Sequence, residues 1–207
     1  MLVTQICDVT RSRSRIYIDG QFAFVLYKGE LRRFHLREGQ EISVGSYQEI
    51  TTELLPKRAK LRCLNLLQSR DYTRKQLVDK LIQGDYPEEC IEEAVAYVES
   101  YGYLDDFRYT KDFIEYNIDN KSRMRIETDL MRKGIKSDLI KRAFEELNLL
   151  GVEQDEMAMI EGLLRKKKFC VETATKQEQQ KMFGFLYRRG FRADAITEAL
   201  SLDSITD

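Results

Sequence analysis

The chain has 207 residues, 43% hydrophobic and 33% charged, with 34 Lys and Arg against 35 Asp and Glu. That length carries one or two domains with a real core, and the high charge share suits much exposed helix surface. The net charge of −1 does not by itself point to nucleic acid, and no apolar run is long enough to span a membrane. Cys7, Cys63, Cys90 and Cys170 stand apart, with no C-x-x-C pair and no His beside them, so zinc-ligand spacing is absent.

The first residues, MLVTQICDV, read as a strand and not as a signal segment, so the cysteines are expected as reduced thiols of a cytoplasmic protein. A strand is predicted near Val3–Val9. Arg15 to Leu26 reads as two strands joined by Asp19-Gly20, a dipeptide that supplies the positive φ angles of a type I′ hairpin turn. A helical turn is expected between Lys28 and Leu36, with Leu31 and Phe34 inward. Gly39 ends it, and Gln40–Val44 is expected to return as a strand.

From about residue 46 the periodicity becomes helical, and only Pro56 and Pro87 interrupt it. Thr73 is a predicted N-cap, with Leu77, Leu81 and Ile82 on the buried face of its helix. Pro87 suits the first turn of the next helix, and Glu88 and Glu89 follow where acids favour the helix dipole.

Three segments align without a gap: LIQGDYPEECIEEAV (81–95), LMRKGIKSDLIKRAF (130–144) and LYRRGFRADAITEAL (186–200). Shared columns hold Leu81, Leu130 and Leu186; Tyr86, Ile135 and Phe191; Ile91, Ile140 and Ile196; and Ala94, Ala143 and Ala199. An acidic column holds Glu89, Asp138 and Asp194. The turn column holds Asp85, Gly134 and Gly190, residue types that tolerate the left-handed region at a helix C-terminus. An apolar-striped helix precedes each segment, at about 57–70, 105–119 and 153–168.

The fold expected is mainly α: three tandem three-helix repeats in an elongated curved array, after a small N-terminal β-rich module. The predicted boundaries are 1–52 for the module and 53–104, 105–150 and 151–207 for the repeats.

The stretch YGYLDD then falls at a joint. Gly102 ends one helix, Tyr103 and Leu104 pack, and Asp105 or Asp106 caps the next, where Phe107, Thr110, Phe113 and Ile114 face inward. Neighbouring carboxylates diverge on a helix, which argues against a catalytic pair converging on one atom. His35 is the only histidine, and no Gly-rich phosphate loop occurs. No catalytic residue, cofactor or metal is expected.

Basic residues recur at related places in the repeats: Arg74 and Lys75; Lys121, Arg123, Arg125, Arg132 and Lys133; Lys166 and Lys167 within a run of four; and Arg188 and Arg189. Such an array suits a polyanion or a periodic filament.

The chain resembles the RecX regulatory proteins, bacterial modulators of the RecA recombinase. The resemblance rests on Tyr103–Asp106, on the L-x3-G-I pattern at Leu130–Ile135 and on the three-fold repeat. It rests also on the N-terminal IYIDGQFAF, which looks like the form seen in many Gram-positive relatives. It covers nearly the whole chain, though Tyr109-Thr110 departs from a small Ala-containing pair in many relatives, and the joint expected before the third repeat, Phe169–Gln180, is long and polar. The resemblance implies binding to a RecA–single-stranded-DNA filament and restraint of its ATPase and strand exchange, by a monomer with no membrane contact. Weak direct DNA binding also fits, and a general DNA-binding helical repeat protein acting without RecA is the alternative. A carboxylate enzyme would instead need Asp105 and Asp106 for turnover.

Overall fold

The computed structural model describes residues 1–200, so the last seven residues of the third expected repeat lie outside the described residues. The chain divides into two compact units, Met1–Asp105 and Asp106–Asp207.

The first unit opens with an antiparallel meander, β1 (Val3–Asp8), β2 (Arg13–Ile18) and β3 (Gln21–Tyr27), in the order β1-β2-β3. Asp19 and Gly20 take φ of 50° and 83°, as the Asp-Gly turn requires. Ile16, Phe24 and Leu26 are fully buried on one face of the sheet. Helix α1 (Lys28–Arg33) follows, with Leu31 and Phe34 packed against the core.

The expected strand at Gln40–Val44 does not form. Glu41 makes one isolated bridge to Leu2, and the Ile42 amide donates to the Met1 carbonyl at 2.9 Å. Ser43 then caps α2 (Val44–Gln48) by accepting from the Ser46 amide at 3.0 Å. That cap turns the chain into a helix where apolar alternation alone suggests a strand. Helix α2 runs without a break through a π-helical stretch, Glu49–Leu54, into α3 (Leu55–Ser69). The Thr51 and Thr52 hydroxyls donate to the Tyr47 and Gln48 carbonyls, at 3.0 and 2.8 Å, where the ladder widens.

Helices α4 (Arg74–Ile82) and α5 (Glu88–Ser100) complete the first repeat with α3. Thr73 caps α4, its hydroxyl accepting from the Gln76 amide at 3.3 Å while the Gln76 side chain accepts from the Thr73 amide at 3.2 Å. Leu77 and Leu81 are fully buried, but Ile82 is 57% exposed, so it does not belong to the buried face. Pro87 stands at the N-cap position, just outside α5.

Arg58 on α3 fastens the meander to this repeat. Its guanidinium donates to Glu30 at 2.7 Å and to the Val25 carbonyl at 2.5 Å, and lies over the Tyr27 and Tyr86 rings. Arg15 on β2 adds a forked contact to both Asp85 oxygens at 3.0 Å. The buried Cys63 thiol lies in the same core, and burial pushes it up to about 11.

The second unit holds repeat two, α6 (Asp106–Asn117), α7 (Arg123–Arg132) and α8 (Ser137–Leu149), and repeat three, α9 (Glu156–Lys166), α10 (Lys176–Arg188) and α11 (Ala193–Ala199). The aligned columns are structural. Leu81, Leu130 and Leu186 are all completely buried, as are Ile91, Ile140 and Ile196 to within a few per cent. Asp85, Gly134 and Gly190 take φ of 58°, 91° and 84°, which breaks each middle helix before its third.

At the joint, Gly102 has φ 68° and Leu104 is buried in the first unit's core. Tyr103 is not packed inward as expected: it is more than half exposed and stacks on Tyr101, centroids 6.0 Å apart. Asp105 immediately precedes α6 and Asp106 lies in its first turn, where Thr110 and Ile114 are fully buried. The polar stretch Phe169–Gln180 does not precede the third repeat but lies within it. Its first half links α9 to α10, and Lys176–Gln180 form the first turns of α10, capped by Thr175.

Candidate nucleic-acid interface

Repeats two and three meet at the start of α7. Ser122 caps that helix, accepting from the Arg125 amide at 3.4 Å, and its hydroxyl donates to the Arg189 carbonyl at 2.7 Å. Gly190, next in the chain, lies so close that a Cβ there would stand 2.7 Å from Ser122 Oγ and 3.3 Å from Met124 Cβ. Gly190 therefore meets two demands, positive φ and close approach. Gln154 secures the loop before α7, donating to the Ile118 and Lys121 carbonyls at 2.8 and 2.6 Å. Glu156 accepts from the Arg192 amide at 2.9 Å.

Beside this contact lies an open groove of about 660 Å³. Its lining includes Lys121, Arg125, Lys166, Arg188 and Arg189, against the carboxylates Asp119, Glu153 and Asp155. Among the described residues Lys166, Arg188 and Arg189 make no ion pair. Lys121 and Arg125 both reach Asp129, at 2.9 and 3.4 Å. Burial acts to raise the Asp129 carboxyl, but Lys121, Arg125 and Arg132 outweigh it and hold the group below its ordinary value. Aromatic rings hold cations in place: Arg189 lies 4.7 Å from the Phe185 centroid, and Lys121 5.2 Å from that of Phe113. Gly162, on α9, also lines the groove.

The structure thus gathers five of the eleven basic residues singled out in the sequence, Lys121, Arg125, Lys166, Arg188 and Arg189. The other six stand elsewhere. Arg123 lines a second groove, pairs with Glu127 at 2.9 Å and lies 4.4 Å over the Phe144 ring. Arg74 and Lys75 are on α4 in the first unit, paired with Glu99 and Asp79. Arg132 and Lys133 end α7, Lys133 over the Phe113 and Tyr109 rings, and Lys167 ends α9 over Phe185.

Ser122 was missed in the sequence, because the partner of its hydroxyl is 67 residues away. Among the described residues, no group of three or more His, Cys, Asp or Glu side chains is placed to hold a metal ion, and no helix is long and apolar enough to cross a membrane.

These features define a tandem three-helix-repeat protein with an N-terminal β-meander and a cation-lined groove between two repeats. The chain belongs to the RecX regulatory protein family. Models of the first and third RecX three-helix domains match residues 59–97 and 153–200. A regulatory protein RecX from Caldanaerobacter subterraneus subsp. tengcongensis is 31% identical, covering 98% of this chain and all of that one. One from Clostridioides difficile is 28% identical, over 97% and 94% of the two chains. Two solved structures share the fold. One regulatory protein RecX superimposes with a TM-score of 0.62 at 23% identity, over 98% of this chain and 99% of that one. RecX from Lactobacillus salivarius gives 0.59 at 21%, over 71% and 95%.

Proposed function

We propose that this protein is a non-enzymatic, cytoplasmic regulator that binds the RecA filament on single-stranded DNA and restrains its ATPase. Family membership over nearly the full chain is the observation that carries the function. The groove between repeats two and three is the site it uses for the DNA strand. Lys166, Arg188 and Arg189, which make no ion pair among the described residues, favour a polyanion in a concave site, and a backbone phosphate releases counterions as each is neutralised. The ring contacts of Lys121 and Arg189 limit the side-chain freedom that binding would remove.

The test compares the affinity of the protein for bare single-stranded DNA with that for the same strand coated with RecA. Tighter binding to the coated strand, with suppressed ATP hydrolysis, supports the proposal. Equal affinity for the two would make it a general DNA-binding repeat protein.

A further inference from the structure

The column that follows the buried leucine of each middle helix holds Ile82, Met131 and Tyr187. All three are exposed, at 57%, 50% and 56%. Isolated exposed apolar residues need no explanation. Here, however, a large apolar side chain recurs at one column in three repeats, although Tyr187 also stacks on Phe183 one turn back, centroids 6.1 Å apart. In repeats two and three two cations follow at once, Arg132-Lys133 and Arg188-Arg189. Lys133 and Arg189 are both held over aromatic rings, 5.4 Å from the Phe113 centroid and 4.7 Å from that of Phe185. In repeat one the following residues are Gln83 and Gly84, and Asp85 is engaged by Arg15.

We propose that Met131 and Tyr187, each with its two flanking cations, are paired docking points for the protein subunits of the filament. This rests on the RecA-filament reading above. Each docking point would take one apolar pocket rimmed by carboxylates on successive identical subunits. Charge complementarity selects the acidic rim, because the apolar group is followed by positive charge in both repeats. Repetition along this chain selects a partner that itself repeats, since two linked contacts reinforce each other when their spacings match. Arg188 and Arg189 also line the groove, so the protein contact and the strand contact are contiguous. Ile82 lacks the cations and contributes less.

The test uses the full-length chain carrying Met131→Ser and Tyr187→Ser together, with Ile82→Ser and Tyr187→Phe as separate variants. Affinity is measured for RecA-coated single-stranded DNA and for the bare strand. The paired variant is expected to lose about tenfold or more on the coated strand, the scale of truncated interface anchors, with bare-strand affinity unchanged. Ile82→Ser is expected to lose less, and Tyr187→Phe to bind like the wild type. Full affinity of the paired variant for the coated strand overturns the inference and leaves the function standing. A parallel loss on both strands also overturns it, since the column would then contact DNA. A wild-type protein that does not prefer the coated strand overturns the function and this inference together.

Discussion

The Ser122 hydroxyl donates to the Arg189 carbonyl at 2.7 Å, from the cap of one repeat's middle helix to the end of the next repeat's middle helix. One side chain thereby ends α10 and begins α7. Arg125 and Arg188 both line the groove beside it. Ser122→Ala should remove both the cap and the cross-repeat bond, lowering stability by about 1–2 kcal/mol in urea unfolding. Affinity for the coated strand should fall as well, though no charge is lost.

Gly190→Ala should cost more than Gly102→Ala. Both glycines have positive φ, and in each case a Cβ costs about 1 kcal/mol. Around Gly102 there is open space, whereas at Gly190 the Cβ would meet Ser122 Oγ at 2.7 Å. Thermal melts of the two variants test the order, and equal shifts would count against the close approach.

Gly162 predicts the opposite sign. It lies inside α9 with nothing within 4 Å of a built Cβ. Gly162→Ala should therefore raise stability by roughly 0.5–1 kcal/mol. Gly162→Glu, which adds negative charge to the groove, should fold normally and bind the coated strand more weakly. A stable Gly162→Glu protein with full affinity would remove the groove as the strand site.

Asp129 links charge to pH. Its folded-state pKa is lowered from the ordinary 3.8. It therefore contributes stability above that value, which is lost as pH falls through the lower folded value. Asp129→Asn should cost about 1 kcal/mol at neutral pH, because two cations lose a shared partner. The deficit relative to wild type should shrink below about pH 4. A deficit that is constant down to pH 2 would mean that the side chain acts through shape and not charge.

Asp105→Ala with Asp106→Ala should lower thermal stability by about 1 kcal/mol, the worth of a helix cap. Any loss of regulation should track that loss of stability. A fully stable but inactive variant would reopen the carboxylates as a functional site.

Much of this was legible in residue types with one permissible geometry. Asp19-Gly20 allows few turns, and Asp85, Gly134 and Gly190 mark left-handed positions that recur every repeat. The buried leucine and isoleucine columns followed from the same alignment. Ile82 misled because a helix end carries apolar residues on neighbouring positions, and only one of them can face the core. Gln40–Val44 misled because alternation cannot register the Ser43 cap. The basic residues were visible one by one, but their grouping was not. Local acids at helical spacing take up Lys75, Arg123 and, in part, Arg125. Beside the groove, repeats two and three are joined by a hydrogen bond between residues 67 apart, which leaves no trace in local pattern.

The most direct measurement is a titration of RecA's single-stranded-DNA-dependent ATPase with the wild-type protein and with Arg125→Glu, Arg188→Glu. Wild type should suppress hydrolysis. The variant, with its helical circular dichroism unchanged, should need about tenfold more protein for the same effect, the scale of reversing charges that face a polyanion. ATP hydrolysis unaffected by saturating wild-type protein would contradict the function. Equal potency of the variant would contradict the site.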